Sequence, residues 1–157
     1  MTFSLASSAF AEGTAIPVPH TCDGADRSPP LAWTDAPQGT LTFALIADDP
    51  DAPGGTWVHW VLCDIPATLS ALPENVSKAD APKELGGAVQ GKNDSKRPGY
   101  AGPCPPPGAP HRYYFKLYAL SKKLGLKPGV SKQDVERAMD GHVLATAQLM
   151  GQYARRR

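Results

Sequence analysis

A chain of 157 residues with 41% apolar and 20% charged side chains suits one globular domain and excludes wholesale disorder. Sixteen basic against fifteen acidic side chains leave a net charge of +1, which speaks against nucleic acid or a membrane surface as the main partner. Seventeen prolines and 15 glycines predict short strands joined by shaped loops rather than a helical bundle.

From the N-terminus, Met1 to Gly13 carries no basic region and no apolar run of signal-peptide length, and no later stretch approaches a membrane span. The expected location is the cytoplasm, with no stable membrane insertion. Thr40 to Asp48 (TLTFALIAD) is β-branched and apolar and stops at Pro50, which predicts a central strand. Trp57 to Ile65 (WVHWVLCDI) predicts a second, bounded by Gly54-Gly55 and Pro66. A long loop follows from about Glu84 to Pro110, holding Gly86-Gly87, Pro98-Gly99 and the run GPCPPPG. His111 to Leu120 (HRYYFKLYAL) predicts a third strand with Tyr113, Phe115, Leu117 and Ala119 on one face. Ser131 and Asp134 outline a capping box ahead of a short helix with Val135, Ala138 and Met139 as its apolar stripe, ended by Asp140-Gly141. His142 to Tyr153 fits helix and strand spacing equally well, and composition alone leans to helix.

Chemistry concentrates in two segments. DDPDAPGGTWVHW, Asp48 to Trp60, sets Asp49, Asp51, Trp57 and His59 around a stiff Pro/Gly turn whose carboxylates cannot collapse into helix. Two strands meeting there would bring Asp49 near His59. PPPGAPHRYY, Pro105 to Tyr114, places His111, Arg112 and Tyr113 at the mouth of another strand. Two imidazoles and a phenol could supply donors to an oxyanion, with backbone N–H groups near Gly102 and Gly108 completing a nest.

In this order and spacing, the two segments resemble the two signature regions of the phosphatidylethanolamine-binding protein family, DPDAP…H and GxHR, the second reading GAPHR here with Pro110 before the histidine. TCDGADRSPPLAW (Thr21 to Trp33) and YAGPCPPPGAPHRYYFKLYAL (Tyr100 to Leu120) are similar to its short bacterial and archaeal, Raf-kinase-inhibitor-like branch, and the likeness spans essentially the whole chain. It implies a mainly β fold over residues 1–157, with one large and one small sheet and short peripheral helices. It also assigns Val143 to Tyr153 as a strand. It further implies a pocket for phosphate, a phospho-headgroup or a carboxylate, formed by Asp49, His59, Pro106, His111 and Tyr113 with Pro53 and Trp57 as walls. Arg112 would brace Asp51, and the Ala52–Pro53 bond resembles one that is cis in relatives. The mammalian members have a further C-terminal helix that helps cover the pocket, for which Tyr153 is no substitute. Short members resemble dimers, so the expected assembly is a homodimer.

Each residue also has a plainer reading. His59 in an apolar strand could be a core histidine, His111 an exposed one, Asp49 a turn cap and Tyr113 a core aromatic. His20 and His142 belong to no motif and read as structural. The terminal Arg155-Arg156-Arg157 reads as a solvated tail. Cys22, Cys63 and Cys104 show no CxxC spacing, which disfavours zinc, and a disulfide framework is not expected in a reducing compartment. Cys22 and Cys104 both lie in turn-rich loops, which leaves a pairing between them open. Asp49, His59 and His111 could reach a metal's ligand count, but no HExxH-like spacing supports one. No activated nucleophile accompanies the acid and base candidates, so the reading is a binding protein without cofactor rather than a His/Asp phosphoester hydrolase. Inhibition of a kinase or serine protease through the surface is the alternative that the pocket motifs leave open.

Overall fold

The computed structural model describes residues 2–155. Eight strands and one α-helix follow in order: β1 (Ser4–Ala6), β2 (Leu31–Thr34), β3 (Thr42–Asp49), β4 (Trp57–Pro66), β5 (Ala71–Leu72), β6 (Val89–Gln90), β7 (His111–Leu120), α1 (Lys132–Met139) and β8 (Val143–Tyr153). Two 3-10 turns, Val18–His20 and Lys83–Leu85, precede β2 and β6.

The strands form an antiparallel five-stranded sheet in the order β6-β4-β3-β7-β8 and a small sheet in the order β1-β2-β5. β3 is central because it is apolar at nearly every position, and all eight of its residues are buried. Phe43, Leu45 and Ala47 point into a core shared with Leu5, Leu31, Trp33 and Leu72 of the small sheet. Ala44 and Ile46 point to the opposite core, where Val135 and Met139 of α1 cover them. A strand buried on both faces reads as a continuous apolar run.

The fold is mainly β with two sheets and short helices, as the resemblance implies. β7 has the predicted bounds, and β3 and β4 shift only at their ends. Ser131 caps α1: its hydroxyl accepts from the Asp134 N–H and the Asp134 carboxylate accepts from the Ser131 N–H. β8 is a strand from Val143 to Tyr153, against the helical lean of its composition. Ten register pairs with β7 hold it, so the tertiary ladder decides what periodicity left open.

Four expectations need correction. The stretch from Glu84 to Pro110 is not one loop: Val89–Gln90 pairs with Leu62 and Cys63 as the sheet's edge strand. Cys22 and Cys104 form a disulfide across 82 residues of sequence, joining two loops that the topology brings together. Among the described residues no peptide bond is cis, Ala52–Pro53 included, and positive φ at Gly54 and Gly55 turns the chain instead. Arg155 pairs with Asp23 at 3.1 Å rather than standing free, and Arg156 and Arg157 lie outside the described residues.

Candidate functional site

A β-bulge builds the site. Asp48 pairs with Val58 and Ala47 with Trp60, so His59 is the extra residue of β4 with no partner on β3. An extra residue re-aims the side chains beside it. The His59 ring thus comes edge-on to Tyr113 of β7, 5.2 Å between ring centroids, on the side of the sheet that carries Trp60 and Phe115. His111, two residues before Tyr113 on the same face of β7, stacks against Tyr113 from the other side at 6.5 Å.

All seven expected pocket residues line one cavity of about 550 Å³: Asp49, Pro53, Trp57, His59, Pro106, His111 and Tyr113. Asp49 ends β3 and accepts Nδ1–H of His111 at 2.7 Å through one oxygen and the Asp51 N–H at 2.7 Å through the other. It therefore orients His111, not its expected neighbour His59. His59 instead donates from Nδ1 to the carbonyl of Ala101 at 2.6 Å. The Tyr113 hydroxyl is buried with no hydrogen-bond partner, and Tyr113 is 3% exposed. Trp57 stands at the rim, 42% exposed.

Arg112 holds the other arm of the turn. Its guanidinium donates to both oxygens of Asp51, 2.9 Å from Nε and 2.8 Å from NH2, and its backbone N–H adds a third bond. The guanidinium beside it draws the Asp51 carboxyl down to about 2. This clamp fastens the DPDAP turn to β7 and so fixes Asp49 beside His111.

Burial sets the remaining protonation states. It holds His59 below the ordinary imidazole range, outweighing the Ala101 carbonyl and the nearby Asp49 and Asp26 charges that act the other way. Burial, reinforced by the charge and proximity of the Asp49 carboxylate, keeps the Tyr113 phenol well above its ordinary value, so it remains an O–H donor; the carboxylate is near the hydroxyl but does not meet hydrogen-bond geometry.

The sequence missed several lining groups. Tyr100 is buried and donates to the His20 carbonyl at 2.7 Å, and His20 in turn bonds the Arg27 carbonyl through Nδ1 at 2.9 Å. Asp26 accepts the Gly102 N–H at 2.8 Å. That amide is spent inside the protein, and Gly108 is not among the lining residues, so the expected nest is not formed. Gly102 itself is required by contact: a Cβ there would lie 2.3 Å from the His20 carbonyl oxygen. Asp26 and Cys22 lie in the Thr21–Trp33 segment and Tyr100 in the Tyr100–Leu120 segment, so the resemblance flagged the stretches without the residues. Both Cys22 and Cys104 line the cavity. Among the described residues no group of three or more His, Cys, Asp and Glu is arranged to hold a metal ion.

The two-sheet fold gathers an Asp-His pair, a second histidine and a tyrosine at one sheet end. The family profile described as phosphatidylethanolamine-binding protein matches residues 6–154. The chain belongs to the phosphatidylethanolamine-binding protein family. A relative from Methanothermobacter thermautotrophicus, named only UPF0098 protein, is 51% identical over 152 residues, covering 97% of this chain and 99% of its own. One from Aquifex aeolicus is 51% identical, covering 95% and 86%. Among solved structures, Escherichia coli YbcL, described as a member of the mammalian PEBP family, superposes with a TM-score of 0.92 at 36% identity, covering 99% of this chain and 100% of that one. A Chlamydia trachomatis homolog of the family, CT736, gives 0.89 at 40% identity with 98% of both chains covered.

Proposed function

We propose that the cavity binds a small oxyanion of the phosphate type and does no chemistry on it. The observation that carries this reading is the Tyr113 hydroxyl, a buried donor without a protein partner between two histidine rings. A buried polar group left unsatisfied costs about 1–3 kcal/mol; the hydroxyl is sealed from solvent, so a ligand oxygen that recovers it must part the lining around Tyr113 to reach it. The two imidazoles supply the rest of the polar wall, while Pro53, Pro106 and Trp57 give it an apolar border. Binding rather than turnover is supported by the two cysteines of the cavity wall being joined to each other, which leaves no free thiol among its described lining residues.

Calorimetric titration with inorganic phosphate tests the reading. Wild type should bind, and His111→Ala should lose at least tenfold in affinity. Equal affinity in both, or no binding in wild type, would remove it. Neither protein should hydrolyse p-nitrophenyl phosphate above background.

A further inference from the structure

The inference concerns the same cavity and rests on its reading as an oxyanion site. In both histidines the nitrogen that carries the ring proton is already committed. A carbonyl oxygen can only accept, so the 2.6 Å contact to Ala101 places the proton of neutral His59 on Nδ1. The Asp49 carboxylate likewise takes Nδ1–H of His111. Each neutral ring therefore presents Nε2 as a lone pair. Neither Nε2 has a hydrogen bond among the described residues, nor is either among the side-chain nitrogens sealed from solvent. Tyr113 contributes one O–H. With both rings neutral the cavity offers one donor and two acceptors, not the three donors that two histidines and a tyrosine suggest.

An oxyanion with no hydrogen of its own meets a lone pair at each imidazole. Every Nε2-to-oxygen bond then needs a proton, from the ring or from the ligand. We propose that the site selects oxyacids that keep an O–H, namely hydrogen phosphate and phosphomonoester monoanions, over sulfate and phosphodiesters, and that the latter bind only with uptake of one proton more, since a ligand O–H serves one of the two Nε2 atoms. His59 is the specificity-determining residue, because its Nδ1 faces a neutral carbonyl in a buried position whereas Nδ1 of His111 faces a carboxylate.

The charges around His59 do not relieve this. Asp48 and Asp49 face it from β3, Asp26 from the loop after the first 3-10 turn, and Tyr113 and His111 from β7. Asp48 is engaged by Lys116 and Lys132, Asp26 by Lys78, and Asp49 by His111, while Arg97 lines the cavity as an exposed residue. Burial of His59 remains the larger influence on its ring.

Phosphate and sulfate make the test direct. At pH 8 both are tetrahedral dianions, and only phosphate bears an O–H. Calorimetry on the wild-type protein should show phosphate binding at least tenfold tighter than sulfate at pH 8, and methyl phosphate tighter than dimethyl phosphate at pH 6. A bound anion favours the imidazolium, so sulfate affinity should rise as pH falls from 8 to 6, by up to about tenfold per unit. Buffers of different ionisation enthalpy should register about one proton more taken up per sulfate than per phosphate. Sulfate and phosphate binding within threefold at pH 8, without proton uptake, would overturn the selectivity and leave the anion site standing. Failure of both anions to bind at either pH would overturn the anion site and the selectivity with it. Tighter binding of dimethyl phosphate than of methyl phosphate would overturn the selectivity and point to a phospholipid headgroup.

Discussion

At the scale of single residues, the account turns on atoms left over once the protein's own hydrogen bonds are assigned. Tyr113 is the sharpest case, since its hydroxyl has no partner at 3% exposure. Replacing it by phenylalanine removes the orphan without opening a cavity. Tyr113→Phe should therefore melt no lower than wild type, and gain up to about 1 kcal/mol, while phosphate affinity falls about tenfold or more. A marked loss of stability would show that the hydroxyl has a structural role, contrary to this account. Residue identities at the site were legible because Pro, Gly, Asp and His cluster in two short segments. Their hydrogen-bond roles were not. Which histidine Asp49 holds depends on β7 lying beside β3, a fact of strand order rather than of spacing.

At the scale of elements, the bulge at His59 and the clamp between Asp51 and Arg112 position the pocket. The clamp predicts a pH effect whose sign is fixed. Asp51 is held down to about 2 in the folded protein, so its contribution is fully present above about pH 4 and is lost as pH falls through about 2. With the pair in contact with solvent, the effect should be about 1 kcal/mol at most. Wild type should lose more stability between pH 4 and pH 2 than Asp51→Asn, as read from urea unfolding at each pH. Identical acid slopes would show that the clamp carries no linked stability. The long strands were legible from their apolar runs, and α1 from its capping box. β1, β2, β5 and β6 were not, because two to four residues carry no measurable alternation. The bulge was hidden for a related reason: WVHWVLCDI is apolar on both faces, so one extra residue breaks no pattern. β8 needed the family resemblance, since its spacing supports two periods.

At the scale of the whole molecule, the Cys22–Cys104 bond ties the loop leading into β7 to the segment ahead of β2, with both cysteines at the cavity wall. Closing so long a loop stabilises a fold by about 4 kcal/mol in the chain-entropy picture. Reduction should lower the unfolding free energy by a few kcal/mol and weaken phosphate binding. Cys63 is buried, and burial pushes its thiol up to about 12, so it should not react in the folded protein. Unfolded without reductant, the protein should titrate one thiol, and after reduction three. Three thiols without reductant would mean that the bond is absent. Two cysteines 82 residues apart in turn-rich loops carry no distance information in sequence, which is why the pairing stayed open until the fold was in hand.

The central claim is that His59, His111 and Tyr113 enclose one oxyanion. A crystal structure of the wild-type protein grown in phosphate tests it most directly. The account predicts tetrahedral density within hydrogen-bonding distance of the Tyr113 hydroxyl and of Nε2 of both histidines, with Nδ1 of His59 still on the Ala101 carbonyl. Density that binds elsewhere on the surface, or an ordered water alone bridging Tyr113 and His59 at saturating phosphate, would contradict it.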